Sequence, residues 1–263
     1  MWAEGTLDYS SFIGAVTRSF DKDNLIGAKL IGILFARPEC ELCKSQILPQ
    51  LDYFHWRSGK RFDFYCVGYA KGSEFSPNAT RHKPFDDGIF ILRGEVIDDP
   101  FRELSSMLKN GTNRTIAINI AKQRCQESWT YSTKYFNHFR ECLSKETTWK
   151  YSGEVDLILI NAIRKSKTEK SRIDFSSAIV CHLDQMIRDQ SITSVSTFFE
   201  KIMNYVDTYQ GSDPSWGFSD SLGLRTSMSA LKRLALEALP KNLGTDMNKA
   251  THFAVTDISK DIW

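Results

Sequence analysis

The sequence predicts an α/β first half, residues 1–111, followed by a mainly α-helical second half, residues 112–263. Three observations lead there. Lys29–Ala36 (KLIGILFA) is a short unbroken apolar run, the pattern of a strand covered on both faces, and a turn carries it into a segment of helical period. Arg61–Tyr69 alternates as a second strand, and Gly88–Leu92 and Glu95–Ile97 flank Arg93-Gly94 as a short hairpin. Beyond residue 112 the apolar residues recur mostly three and four apart.

Taken in order, Asp8–Phe20 carries Phe12, Ile13, Val16 and Phe20 on one helical face, and Asp21–Asn24 ends it. Cys43–Arg57 sets Ile47, Leu48, Leu51, Phe54 and Trp56 along a helix that Pro49 kinks, and Ser58-Gly59 closes it. Lys71–Pro84 is polar and connecting. Asp99 followed by Pro100 opens a helix over Phe101–Lys109, stopped by Asn110-Gly111. In the second half, Asn113–Glu146 is a long, largely helical stretch and Trp149–Gly153 a linker. Glu154–Ile163 (EVDLILINAI) fits either a strand or a buried helix. Asp174–Asp189, Thr226–Leu239 and Thr245–Ile262 read as helices, Thr197–Glu200 as a capping box opening another, and Gly211–Gly223 as a polar, Gly-rich loop.

Composition narrows the function. With 41% hydrophobic and 25% charged residues, the chain is an ordinary globular protein; its 15 Gly, 7 Pro and 6 Cys are too few for a collagen-like chain or a disulfide scaffold. The net charge of +2 points no global field at nucleic acid or an anionic membrane. The one basic run, Arg164–Arg172 (RKSKTEKSR), has no interleaved aromatic and reads as a solvated loop. Met1–Gly5 lacks the start of a signal peptide, and no apolar run approaches the roughly 20 residues that span a bilayer, so a cytoplasmic protein without a membrane partner is expected. In a reducing cytosol scattered cysteines are small buried hydrophobes, whereas Cys40 and Cys43 form a close pair.

The segment Phe35-Ala36-Arg37-Pro38-Glu39-Cys40-Glu41-Leu42-Cys43-Lys44 resembles the active-site segment of the thioredoxin superfamily, in which a buried strand ends in an aromatic and Cys-x-x-Cys-Lys opens a Pro-kinked helix. Gly94-Glu95-Val96 resembles the end of that family's hairpin. The likeness covers about residues 5–110, through the order helix, strand, helix, strand, hairpin, helix. It implies a thioredoxin-like α/β domain with a central mixed sheet and flanking helices. It also implies that Cys40 and Cys43 are the redox pair, and that Pro84 or the aligned Asp86, ahead of the Gly88–Leu92 strand, is the substrate-clamping position. The family's buried strand acid falls at Leu34, which is apolar, and the helix proline sits one position late, at Pro49.

The residues make the same chemistry plausible on physical grounds. A cysteine at a helix N-terminus meets unpaired backbone N–H groups and the positive end of the helix dipole, and both favour the thiolate. Cys40 is then the exposed attacking sulfur and Cys43, one turn on, the resolving one. Lys44 adds a favourable charge; Glu39 and Glu41 oppose it, each such effect amounting to roughly 0.3–1 kcal/mol. Zinc would need four ligands, and there is no second Cys-x-x-Cys, so neither metal nor cofactor is expected. His55 lies about 120° around the helix from Cys43, and Cys181-His182 are badly placed on a helix for a nucleophile–base pair. The expected function is thiol–disulfide exchange or redox sensing through a redox-active disulfide at Cys40 and Cys43. Its partner is a protein or a thiol/disulfide substrate, and the helical half supplies partner specificity. The alternative is a non-catalytic adaptor that uses the α/β domain for docking.

Overall fold

The computed structural model describes residues 9–57, 62–72, 88–208 and 255–260. They form an α/β fold on a mixed five-stranded sheet, with a smaller antiparallel sheet beside it. Helix α1 (Tyr9–Asp23) leads into β1 (Gly27–Phe35), every residue of which is buried. After Phe35 the chain turns through Arg37-Pro38-Glu39 and enters a helical segment. That segment runs as a π-helical turn (Cys43–Ile47), a 3-10 turn at Pro49 (Leu48–Gln50) and α2 (Leu51–Arg57). The expected proline kink is thus a change of helical hand-over rather than a simple bend, because Pro49 has no N–H for the α-helical ladder. Strand β2 (Phe62–Cys66) then pairs parallel with β1, Leu30 opposite Phe62 through Leu34 opposite Cys66.

The partner on the other side of β1 comes from the half expected to be helical. Strand β7 (Asp156–Arg164) runs antiparallel along all of β1, from Gly27 opposite Arg164 to Phe35 opposite Asp156. Strand β8 (Arg172–His182) follows as its hairpin mate, and β9 (Val255–Thr256) pairs with β8. Glu154–Ile163 is therefore strand from Asp156 on, Asp174–Asp189 is mostly strand rather than helix, and Thr245–Ile262 contains a strand. Their apolar residues lack the alternation that marks a half-exposed strand, because β7 is buried from Asp156 to Ile163 and β8 buries the adjacent Ala178 and Ile179. The sheet joins strands from both sides of residue 111.

Between β2 and the next large helix the chain builds the second sheet. The turn Val67-Gly68 carries it out of the first sheet. Gly68 has φ +81°, and a Cβ there would lie 3.0 Å from the Phe136 Cβ and the Ser132 carbonyl. Strands β3 (Tyr69–Lys71), β4 (Ile89–Leu92), β5 (Glu95–Ile97) and β6 (Trp129–Tyr131) lie in the order β3-β6-β4-β5, all antiparallel. The hairpin at Arg93-Gly94 forms as expected, but in this sheet and not beside β1. Helices α3 (Pro100–Lys109) and α4 (Arg114–Glu127) pack as a pair between β5 and β6. The long helix expected over Asn113–Glu146 is split by β6, which leaves α5 (Thr133–Glu146) as a separate helix capped by Ser132.

Aromatic side chains fill both faces of the main sheet. On one face Phe12 of α1 meets Tyr65 of β2 and Phe139 of α5, and Phe139 meets Phe35. On the other, Phe54 of α2, Phe64 of β2 and Phe199 of α7 (Val195–Thr208) form a triad with centroids 4.7–5.3 Å apart. Tyr65 and Phe64 are neighbours in β2 and so point to opposite faces. Helix α7 begins at Val195 with Ser194 Oγ accepting from the Thr197 N–H, so the cap is Ser194 and not Thr197. The expected loop 211–223 and helix 226–239 lie outside the described residues.

Candidate active site

Cys40 and Cys43 meet at the carboxyl end of β1. The Cys40 N–H donates to the Arg37 carbonyl (3.2 Å), which closes the turn, and the Lys44 N–H donates to the Cys40 carbonyl (3.0 Å), which starts the helix. Cys40 thus stands at the N-cap. Its sulfur accepts the Cys43 N–H at 3.1 Å, the role a serine or aspartate oxygen plays at an ordinary cap. The Cys43 thiol also hydrogen-bonds to the Cys40 sulfur, and both are free thiols. Cys40 is half-buried and Cys43 fully buried.

The two sulfurs differ in acidity for identifiable reasons. Hydrogen bonding from Cys43 holds the Cys40 thiol below its ordinary value, against partial burial and the charge of Asp184. The Cys43 thiol is pushed far up, first because it donates to Cys40, then by burial. The remaining cysteines with resolved shifts, Cys66, Cys125 and Cys181, are all raised by burial. Cys40 is the one described cysteine whose thiol is lowered. Lys44 does not aim its charge at Cys40 but pairs with Glu41 at 3.1 Å on the exposed side, so those two charges cancel.

The β7–β8 hairpin brings residues to this end that the sequence did not associate with the cysteines. Asp156 is opposite Phe35 on one side and His182 on the other. Its buried carboxylate accepts from the Ser152 N–H (2.9 Å), the Ser152 hydroxyl (2.6 Å) and His182 Nδ1 (2.8 Å). The His182 imidazole is raised above its ordinary value by that hydrogen bond, with burial opposing. Helix α6 (Leu183–Arg188) starts immediately after, and its Asp184 accepts the Val155 N–H at 2.7 Å. Arg37 donates to the Gly153 carbonyl at 3.0 Å, and Trp149 packs on Phe35 with centroids 4.5 Å apart. The stretch Trp149–Gly153, read as a linker, is therefore the wall beside the cysteine turn. A signal was present in the acid-rich Glu154–Asp156 that opens an otherwise apolar run, but it gains meaning only once that run is a strand next to β1.

Pro84 and Asp86 lie outside the described residues. The strand that follows them, β4, pairs with β5 and β6. Cys181 and His182 are successive residues of a strand, Cys181 fully buried and His182 partly exposed, so they do not form a nucleophile–base pair. His55 is buried edge-on to Trp129 at 5.3 Å. Arg164, the first residue of the basic run, binds Asp21 at 2.6 Å. Among the described residues there is no group of three or more His, Cys, Asp or Glu able to hold a metal ion, and no helix long and apolar enough to cross a membrane. Comparison with protein-family models, curated proteins and solved structures finds no match for this chain.

Proposed function

We propose that the protein carries out thiol–disulfide exchange, or senses redox state, through Cys40 and Cys43. The observation that carries this reading is the Cys43 N–H directed at the Cys40 sulfur at 3.1 Å, at a helix start where one thiol is half-exposed and the other buried. The Cys40 thiolate attacks one sulfur of a substrate disulfide, forming a mixed disulfide and releasing the other sulfur as a thiolate. Cys43 then loses its proton and attacks Cys40. The Cys40–Cys43 disulfide forms, the second substrate thiolate leaves, and two electrons have passed to the substrate. A dithiol reductant restores the starting state.

The element order supports a thioredoxin-like core. It runs α1, β1, the cysteine helix and the parallel β2, then the antiparallel β7–β8 hairpin and α7. In this reading β3–β6 with α3 and α4 are an insertion, and the core continues into the half that lacked the resemblance. Gly153–Val155, just ahead of β7, then takes the substrate-facing position that the resemblance assigned to Pro84 and Asp86. Six free thiols suit a reducing compartment such as the cytoplasm. The partner is a protein or small disulfide.

The test uses a small aromatic disulfide. Cys43→Ser protein is expected to keep a stable mixed disulfide on Cys40. Wild type is expected to release the adduct and end with Cys40 joined to Cys43. A wild-type adduct as long-lived as that of Cys43→Ser would overturn the proposal and favour the adaptor role.

A further inference from the structure

We infer that Asp184 is a positioning residue that opposes the Cys40 thiolate and makes the pair more reducing than it would be without that charge; this rests on the dithiol reading above. The geometry begins with the register. Phe35, Asp156 and His182 stand side by side across β1, β7 and β8, and the Leu183 N–H to Val155 carbonyl bond (2.9 Å) extends the ladder one step further. Asp184 follows at once, on the same sheet end as the turn that carries Cys40. Its carboxylate is anchored there by the Val155 N–H at 2.7 Å and is half-buried.

The other charges near the cysteines are largely spent. Glu41 is paired with Lys44, and Glu154 holds Arg188 with both oxygens at 2.8 and 2.9 Å. Asp156 is bound by Ser152 and His182, and Arg37, which donates to a backbone carbonyl, is exposed, so solvent screens its charge. Glu39 is exposed on the turn, where solvent screens it. Asp184 is different: its ligand is a neutral amide, its surroundings are partly dry, and its charge acts on Cys40 and Cys43 alike, disfavouring the thiolate in each. Burial raises the Asp184 carboxyl itself, the Val155 N–H opposing. A negative charge that destabilises the thiolate destabilises the reduced form relative to the disulfide, which makes the pair a stronger reductant.

The experiment separates charge from structure. Asp184→Asn keeps an oxygen for the Val155 N–H and removes the charge; Asp184→Ala removes both. The rate of Cys40 alkylation is followed against pH by mass spectrometry of the full chain, and the thiol–disulfide equilibrium is read in glutathione buffers. Asp184→Asn is expected to lower the pH midpoint of Cys40 alkylation, to speed alkylation severalfold near neutral pH, and to shift the equilibrium toward the dithiol by a smaller factor in the same direction. An unchanged midpoint in Asp184→Asn, alone or with a change confined to Asp184→Ala, overturns the inference and leaves Asp184 as a tie for the Val155 loop. The alkylation midpoint is measurable whether or not wild type forms the disulfide. A wild type that never forms it therefore overturns the exchange reading separately.

Discussion

Asp156 and His182 face each other across the β7–β8 ladder, joined by a 2.8 Å hydrogen bond from the imidazole Nδ1 to a carboxylate with no solvent exposure. The hydrogen bond raises the imidazole above its ordinary value of 6.5 in the fold. The folded state then binds the proton more tightly than the unfolded chain does. That contribution to stability is complete below pH about 6.5 and is lost as pH rises through the raised folded value. Melting temperature should fall across that window in wild type, and His182→Gln should remove that part of the slope. The His182 NMR titration should have its midpoint above 6.5 and drop in Asp156→Asn.

Lys29 is fully buried in β1, its ammonium 2.9 Å from Asp63 and 3.2 Å from Asp23, while Ser19 donates to Asp63 at 2.6 Å. Burial raises the Asp63 carboxyl, and Lys29 counters it. Replacing Lys29 by Met strands two buried carboxylates, a loss of about 3–5 kcal/mol. Urea unfolding should register it, and the double variant Lys29→Met, Asp63→Leu should recover part.

The hairpin turn of the small sheet sits on the cysteine helix. A Cβ at Gly94 (φ +86°) would fall 2.8 Å from Pro49 Cα and 2.9 Å from its nitrogen, whereas at Gly111 (φ +83°) it would meet nothing within 4 Å. Gly111→Ala should therefore cost only the backbone strain, about 1–2 kcal/mol. Gly94→Ala should cost that plus about 1–3 kcal/mol for the clash. Denaturant midpoints of the two variants isolate the contact between the hairpin and the cysteine helix.

The fold was legible wherever local chemistry decided the structure. The apolar run before Arg37-Pro38, the Arg93-Gly94 hairpin and the Asp99-Pro100 helix start all form as their residues dictate. What failed was pairing at long range. Nothing local distinguishes β7, with both faces covered, from a buried helix, and nothing tells β1 to pair with residue 156 rather than residue 89. The Cys40–Cys43 turn is local and could be read from the sequence as a candidate. Asp156, His182 and Asp184, which join it only through that pairing, could not.

Cysteine reactivity in the native protein should divide sharply. Cys40 should react with iodoacetamide near neutral pH, while Cys43, fully buried and donating to Cys40, should react only after unfolding. Peptide mapping after a timed pulse reads both, with the buried Cys181 as the internal reference.

The most direct measurement equilibrates native protein across glutathione redox buffers, blocks remaining thiols after unfolding, and reads each cysteine by mass spectrometry. Cys40 and Cys43 should disappear from the thiol pool together, as one two-electron couple, with Cys66, Cys125 and Cys181 still reduced. If Cys43 stays a thiol at every ratio, with Cys40 either unmodified or carrying glutathione, the pair is not a redox couple.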